Sequence, residues 1–295
     1  MRVGRRSGDG FVACACGSRH WGRFGAAGLL VLRGDAVLMQ HRARWSHEGG
    51  TWGVPGGALD TGESPLQGAL REAAEEAGVT AQAVRARHAW TTDHGTWAYT
   101  TVIVEAVGPL HPRRLDGESE ELRWVPLREV PTLPLHSGFA AGWTAFGPLL
   151  ARHEAVVVDA ANVVGSVPDG WWRDRRGASE RLVAGVAGLA EDGVPASAGL
   201  LPEISGRSRA WPDWVVVREG AARGGRMPAA GTSPGRVGVV DASGSGDDEI
   251  VHQVQALRQR GRDVTVVTAD RQLRDRIGEH GAHVTGPRAL TPLLG

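Results

Sequence analysis

At 295 residues the chain has room for two domains of ordinary size, and 41% hydrophobic with 22% charged residues is the balance of a globular chain that buries a core. Lys+Arg and Asp+Glu both number 33, so no basic excess marks the whole chain as a binder of nucleic acid or of a membrane surface, and any phosphate site has to be local. The sequence holds no lysine, which excludes a Walker-type phosphate loop and Schiff-base chemistry, since both need a side-chain amine.

Residues 1–24 read as an extension ahead of the first domain. Its basic start, MRVGRRSGDGF, has no apolar segment behind it, and no run of ~18 apolar residues follows anywhere, so no membrane partner and a cytoplasmic location are expected. The two cysteines, Cys14 and Cys16, stand too close for an unstrained disulfide, which fits a reducing compartment. With His20 they offer three ligands of the soft kind zinc prefers. A fourth is missing, and the expectation is an inert extension unless a histidine from elsewhere completes the set.

A first domain is expected over residues 25–150. Gly25–Leu32 and Ala36–Gln40 are apolar runs separated by Arg33-Gly34-Asp35, the composition of a tight hairpin turn. After Trp52-Gly53-Val54-Pro55-Gly56-Gly57 a helix is predicted from about Leu66 to Ala77, with Ser64 as cap, Pro65 at its first position and Gln67 completing a capping box. His88–Ala106 reads as a second hairpin around Asp93-His94-Gly95, and Glu121–Pro126 as a short strand. Along the helix Leu66, Ala69, Leu70, Ala73 and Ala77 share one stripe while Glu72, Glu75 and Glu76 share another. Glu72 and Glu76, four apart, repel by a few tenths of a kcal/mol unless a hard divalent ion converts the stripe into a site.

The full spacing around that helix is G-x5-E-x7-R-E-U-x-E-E-x-G-U, U being a bulky aliphatic, and every fixed letter is present from Gly57 through Glu63, Arg71, Glu72, Glu75 and Glu76 to Gly78. Together with the preceding hairpin and the WGVPGG entry it resembles the Nudix hydrolase family, with Ala73 as the one departure at an aliphatic position. The resemblance implies an α/β/α sandwich with a mixed sheet and hydrolysis of a nucleoside diphosphate linked to another moiety, a nucleoside triphosphate by default. It assigns Glu72, Glu75, Glu76 and the Gly57 carbonyl to Mg²⁺ or Mn²⁺, and Arg71 to orienting carboxylates that include Glu63. The base stays open among Glu72, Glu118, Glu120 and Glu121. Trp45, Trp52, Trp90 and Trp97 are candidates for stacking on a nucleobase, although core or rim packing is the commoner use of such residues.

Near Gly147-Pro148 the periodicity changes, and a second domain is expected over residues 155–291. Ala155–Val158 is a continuous β-branched run, as in a strand covered on both faces. It is followed by a predicted helix at Ser179–Leu189, strands at Trp214–Val217 and Val237–Val240, a helix at Asp248–Gln259, a strand at Val264–Val267, a helix at Arg271–Glu279 and a short strand at His283–Val284. Alternation of this kind implies a doubly wound parallel sheet. Residues 193–213 and 220–235, rich in Gly, Pro, Ser and Ala, read as long loops.

Ligands of such sheets bind at the C-terminal strand ends, and acids stand at four of them: Asp159, Glu219, Asp241 with Asp247 and Asp248 just beyond, and Asp270. The lone asparagine of the chain, Asn162, lies in Asp159-Ala-Ala-Asn162. With Asp247-Asp248-Glu249-Ile250 and Thr268-Ala269-Asp270-Arg271 this resembles the NYN branch of the PIN-like nucleases. The resemblance implies divalent metal at Asp159, Asn162, Asp247, Asp248 and Asp270, with Glu219 a looser match, and phosphodiester hydrolysis of single-stranded RNA. Trp171 and Trp172 are expected near the mouth of this sheet. A different reading makes the first domain a catalytically silent nucleotide sensor that governs the second, but sensors often lose a metal-binding glutamate and this chain keeps all three.

Overall fold

A computed structural model describes residues 6–168, 170–225 and 237–295. The chain divides into two compact units, one running through Ala151 and including Gly206–Ser208, the other formed by Arg152–Ser205 and Arg209–Gly295. Among the described residues no helix is long and apolar enough to cross a membrane.

The first unit opens with a small antiparallel hairpin, β1 (Phe11–Ala13) and β2 (Arg19–Trp21). Its main sheet is mixed. β3 (Ala26–Arg33) and β4 (Ala36–Arg42) form the hairpin expected around Gly34, which takes the left-handed φ of 61° that the turn requires. β5 (Trp52–Gly53) pairs with β4 and β6 (Gly56–Ala58) with β3, after which α1 (Pro65–Ala77) follows. β7 (Val84–Asp93) and β8 (Ala98–Ala106) form the second hairpin, and β8 lies parallel to β3. β9 (Ser119–Pro126) runs antiparallel to β4, bringing the acid-rich Asp116–Glu121 stretch back toward α1. Ala27 and Leu29 to Val31 of β3 are fully buried, as are Ala69, Ala73 and Ala77 of α1, which packs against that strand. Ala73, the departure from the family spacing, is thus a small residue in close helix-to-sheet packing.

Two features of this unit are not among the predicted elements. Residues 137–150 form a helix, α2 (Ser137–Leu150), with Pro148 inside its last turn. Phe139, Phe146, Leu149 and Leu150 are its buried face, a pattern hidden in the sequence behind Gly and Pro, which are poor helix formers. The extension is also tied to the rest of the unit: Ser7 Oγ donates to Asp60 at 2.8 Å, Gly8 N to the same carboxylate at 3.2 Å, and Arg6 pairs with Glu75 of α1.

The second unit is built on five parallel strands in the order β14-β13-β10-β15-β16, namely β14 (Val237–Asp241), β13 (Asp213–Arg218), β10 (Glu154–Asp159), β15 (Asp263–Val267) and β16 (His283–Thr285). Side-chain alternation along β10 feeds two cores. Val156 and Val158 join Leu182, Val183 and Val186 of α4 (Arg175–Asp192), while Ala155 and Val157 join Ile250 and Val254 of α5 (Gly246–Gln259) and Leu273 and Ile277 of α6 (Arg271–Gly278). Helices on both faces are what the continuous apolar strand predicted. A short helix absent from that reading, α3 (Ala160–Gly165), follows β10 directly, and the stretch read as a loop at 193–213 contains the antiparallel pair β11 (Val194–Pro195) and β12 (Arg207–Ala210). Most of the second expected loop, residues 226–235, lies outside the described residues.

Candidate functional site

The start of α1 is fixed by the capping box: Ser64 accepts from Gln67 N and Gln67 Oε1 accepts from Ser64 N. Its end is fixed by Gly78, whose φ of 69° lets its N–H reach the carbonyls of Ala73 and Ala74. Between those stops Glu72 and Glu76 project toward β6. A Cβ on Gly57 would lie 2.7 Å from Glu72 Cδ, so the Gly57 backbone is pressed against that carboxylate and a side chain there would displace it.

Arg71 organises the entrance. Its Nε and Nη2 each donate to Glu63 at 2.8 Å, Nη1 donates to Glu72 Oε1 at 2.5 Å, and Nη2 also reaches the Ala58 carbonyl at 2.9 Å. This bidentate clamp holds the Glu63 carboxyl below its ordinary range. For Glu72, burial outweighs Arg71 and the pKa moves up. Glu75 is the outermost of the three, 46% exposed, and is paired with Arg6.

Glu76 is the innermost, 8% exposed, and accepts from Gly56 N and Gln40 Nε2, both at 3.2 Å, through Oε2. Burial, reinforced by the charges of Glu72, Asp116 and Glu118, pushes its pKa up to about 8. One carboxylate oxygen from each of Glu76, Asp116 and Glu118 lies within 4.8 Å of the others. Such a cluster has no internal cation to balance it, and an all-oxygen donor set is the coordination chemistry of a hard divalent ion, so the residues present fit one.

Asp116 and Gln40 were missed by sequence reasoning. Asp116 could have been found from its place in the acidic Asp116–Glu121 run. Gln40 carries no such signal: it reaches the site because β4 pairs with β9, and its Nε2 also donates to Ser119 Oγ at 2.7 Å. Among the proposed bases, Glu118 joins the cluster, Glu120 is engaged by His41 at 3.3 Å and Arg44 N at 3.2 Å, and Glu121 faces Arg123 at 3.9 Å. Three of the four tryptophans are packing residues. Trp52 is buried with His41 stacked 4.8 Å from it, Trp97 stacks on His20 at 4.2 Å, and Trp90 lies over Gly206, where a Cβ would come within 2.2 Å of its ring. Trp45 stays 72% exposed.

In the second unit Asp159, Asn162, Glu219, Asp247 and Asp270 line one pocket of about 260 Å³ at the C-terminal ends of the strands. Asp159 Oδ1 caps α3 through Asn162 N at 3.0 Å, Oδ2 accepts from Thr268 Oγ1 at 2.8 Å, and Asn162 Oδ1 accepts from Ala269 N at 2.9 Å. Burial, with Asp247 and Glu219 nearby, raises the Asp159 pKa; Asp247 is raised by burial and by Asp270. Asp270 also caps α6 and Glu219 accepts from Gly246 N. Two expected acids are not there. Asp248 is 71% exposed and ion-paired with Arg276 at 2.7 Å, because the next residue on a helix points about 100° away from Asp247. Asp241 neutralises the buried Arg218 at 2.7 Å. Trp171 and Trp172 pack edge to face with each other, and neither lines the pocket.

A family model described as NUDIX domain matches residues 22–145. The chain is 48% identical over 152 residues to the nucleoside triphosphate pyrophosphatase/Nudix hydrolase fusion protein of Bifidobacterium longum, a match covering 48% of this chain and 32% of that protein's length. It is 51% identical over 150 residues to a Mycobacterium tuberculosis protein named "Putative 8-oxo-dGTP diphosphatase 3", covering 47% of this chain and 69% of that one. Among solved structures it is similar to the Nudix hydrolase RenU of M. smegmatis, 48% identical with a TM-score of 0.45, over 49% of this chain and 96% of that one. No family assignment follows for residues beyond that half, so the PIN-like resemblance of the second unit rests on its sequence pattern alone. With the box complete, folded on one capped helix and matched by family model and relatives alike, the chain belongs to the Nudix hydrolase family.

Proposed function

We propose that the first unit hydrolyses the pyrophosphate linkage of a nucleoside triphosphate with a divalent cation, Mg²⁺ or Mn²⁺, held by Glu72, Glu75, Glu76 and the Gly57 carbonyl. The observation that carries this reading is the buried Glu76 carboxylate gathered with Asp116 and Glu118. When bound, the cation neutralises charge on the pyrophosphate and lowers the pKa of water. Arg71 clamps Glu63 and Glu72, and Gly56 N and Gln40 fix the orientation of Glu76. Glu118, the loop glutamate beside that cluster, accepts the proton of the attacking water.

An oxidised purine nucleoside triphosphate heads the substrate panel, because 8-oxo-dGTP is in the name of the M. tuberculosis relative. The test is release of phosphate or pyrophosphate from a panel of nucleotides with Mg²⁺, comparing the wild-type chain with Glu76→Gln. Turnover that disappears in the variant supports the reading. An undiminished variant refutes the site, and tight nucleotide binding without turnover in Mg²⁺ or Mn²⁺ refutes the activity in favour of a sensor.

For the second unit we infer metal-dependent cleavage of single-stranded RNA at the pocket lined by Asp159, Asn162, Glu219, Asp247 and Asp270. The supporting observation is that acids from separate strand ends line one pocket. Cleavage of unstructured RNA in Mn²⁺ that is lost in Asp159→Asn is the expected result, and wild-type protein inert toward RNA in Mg²⁺ and Mn²⁺ alike overturns it.

A further inference from the structure

The β1–β2 hairpin carries a second cluster that the hydrolase chemistry does not use. Its turn runs from Cys14 to Ser18, closed by Cys14 N donating to the Ser18 carbonyl at 2.9 Å and Gly17 N to the Cys14 carbonyl at 3.0 Å, with Gly17 at a φ of 84°. That turn returns the chain so that His20, on β2, faces back toward the two thiols. Cys16 Sγ lies 3.1 Å from His20 Nε2, and one ligand atom from each of Cys14, Cys16 and His20 lies within 4.8 Å of the other two. Sulfur and nitrogen ligands of one tetrahedral zinc ion, at ~2.3 and ~2.05 Å from the metal, stand about 3.5 Å apart, so the spacing is that of a shared ion.

The cluster is held against the turn between β7 and β8. Cys14 Sγ donates to the His94 carbonyl at 3.3 Å, Ala15 N to Thr96 Oγ1 at 3.1 Å and Trp97 Nε1 to the Gly22 carbonyl at 3.0 Å, while the His20 ring stacks on Trp97. His94 stands beside this stack, its ring centroid 4.8 Å from that of His20 and 5.8 Å from that of Trp97. His94 is thus the neighbouring imidazole on a different element, outside the 4.8 Å cluster of the other three and needing a turn of its side chain to join them. Two thiols and two imidazoles exclude the hard ions suited to the glutamate cluster and select zinc.

We infer that Cys14, Cys16 and His20 hold one zinc ion, that the His94 side chain turns in as the fourth ligand, and that this structural site fastens the N-terminal hairpin to the β7–β8 turn. Both thiols lose their protons to solvent on binding. A closed four-ligand site leaves no open position for substrate, so its role is to hold the fold.

The test uses the full chain, reduced, with no polyhistidine tag and no chelator. Metal analysis is expected to give about one zinc per chain, retained after dialysis against excess Mg²⁺ and retained in Glu76→Gln, which separates it from the glutamate cluster. Exchange with cobalt(II) is expected to give thiolate-to-cobalt charge-transfer bands and the intense visible bands of tetrahedral cobalt, both lost in Cys14→Ser/Cys16→Ser. The cobalt spectrum of the wild-type chain decides the matter even where that variant does not fold. Protein that retains no zinc and shows no thiolate–cobalt bands, or that is isolated with a Cys14–Cys16 disulfide, overturns the site; a His94→Ala variant with an unchanged cobalt spectrum removes His94 from it.

Discussion

The carboxylates of the first unit come from one helix and the loop facing it, whereas those of the second are gathered from separate strand ends more than a hundred residues apart in sequence. In the first, Glu76 has two neutral hydrogen-bond donors, and the Arg71 guanidinium is given over to Glu63 and Glu72. In the second, Asp159 and Asp270 line the pocket and each caps a helix, while Asp241, outside the pocket, offsets a buried arginine. Acids that cap and pair keep their reason to exist without a ligand. Glu76 is instead buried, crowded by like charge and held by neutral donors.

That difference is sharpest in Glu76→Gln. Glutamine can still accept from Gly56 N, so the fold survives, while hydrolysis falls by at least about 10²–10³-fold, the loss typical of removing one preorganised electrostatic group. Stability moves the other way in chelator. A carboxyl raised to about 8 in the folded chain binds a proton that the unfolded chain releases near 4.5, so metal-free protein loses stability as pH rises from about 4.5 to 8. Thermal unfolding in EDTA across that window should show the decline in the wild-type chain, a flatter profile in Glu76→Gln, and recovery of the wild-type chain on adding Mg²⁺. A wild-type profile that rises with pH there would sink this account of Glu76.

Arg71→Ala removes the clamp on Glu63 and Glu72 without removing a proposed metal ligand. Loss of such an outer partner costs roughly 10–100-fold in activity or metal affinity. We expect kcat/KM to fall within that range and the Mg²⁺ concentration for half-maximal rate to rise. A variant with wild-type metal dependence would show that Arg71 does no more than cap the entrance.

How much of each cluster could be read beforehand follows from the same contrast. Glu72, Glu75, Glu76 and their clamp were legible because a helix converts spacing into direction, and Ser64, Pro65 and Gln67 announced where that helix begins. Asp116 and Gln40 were not, because their place depends on β9 pairing with β4. In the second unit the strands were legible from runs such as Ala155–Val158, and right-handed crossovers then put their C-terminal ends on one side. Which acid at those ends turns inward was not. Asp247 and Asp248 are adjacent in sequence yet part company on α5, and Asp241 is claimed by Arg218, whose burial no local pattern signals.

Asp241 therefore separates structural from candidate functional acids in the second unit. Arg218 is 2% exposed, and removing its partner leaves a guanidinium buried without its counter-charge. Because Asp241 is itself 37% exposed and partly screened, Asp241→Asn should cost about 2 kcal/mol, below the range for a fully buried pair. Urea unfolding measures it. The same change is expected to leave Mn²⁺ binding at the pocket intact once the protein is folded.

The smallest effect tests the pocket most directly, through the neighbours Asp247 and Asp248. Both belong to the acids expected to bind metal, but Asp247 lines the pocket with its pKa raised by burial and by Asp270, whereas Asp248 is exposed and paired with Arg276. An exposed pair of that kind contributes about 0–1 kcal/mol, so Asp248→Asn should change the unfolding midpoint by little and Mn²⁺ affinity not at all. Asp247→Asn should weaken Mn²⁺ binding severalfold or more by removing one charged oxygen donor, with stability unchanged or raised because a repelled carboxylate is gone. Calorimetric titration with Mn²⁺ in a Glu76→Gln background, where the first unit's site is disabled, isolates the second. Equal losses in the two variants would mean that the acids act through diffuse charge, and the convergence of Asp159, Asp247 and Asp270 would then be a consequence of capping helices at one edge of a parallel sheet.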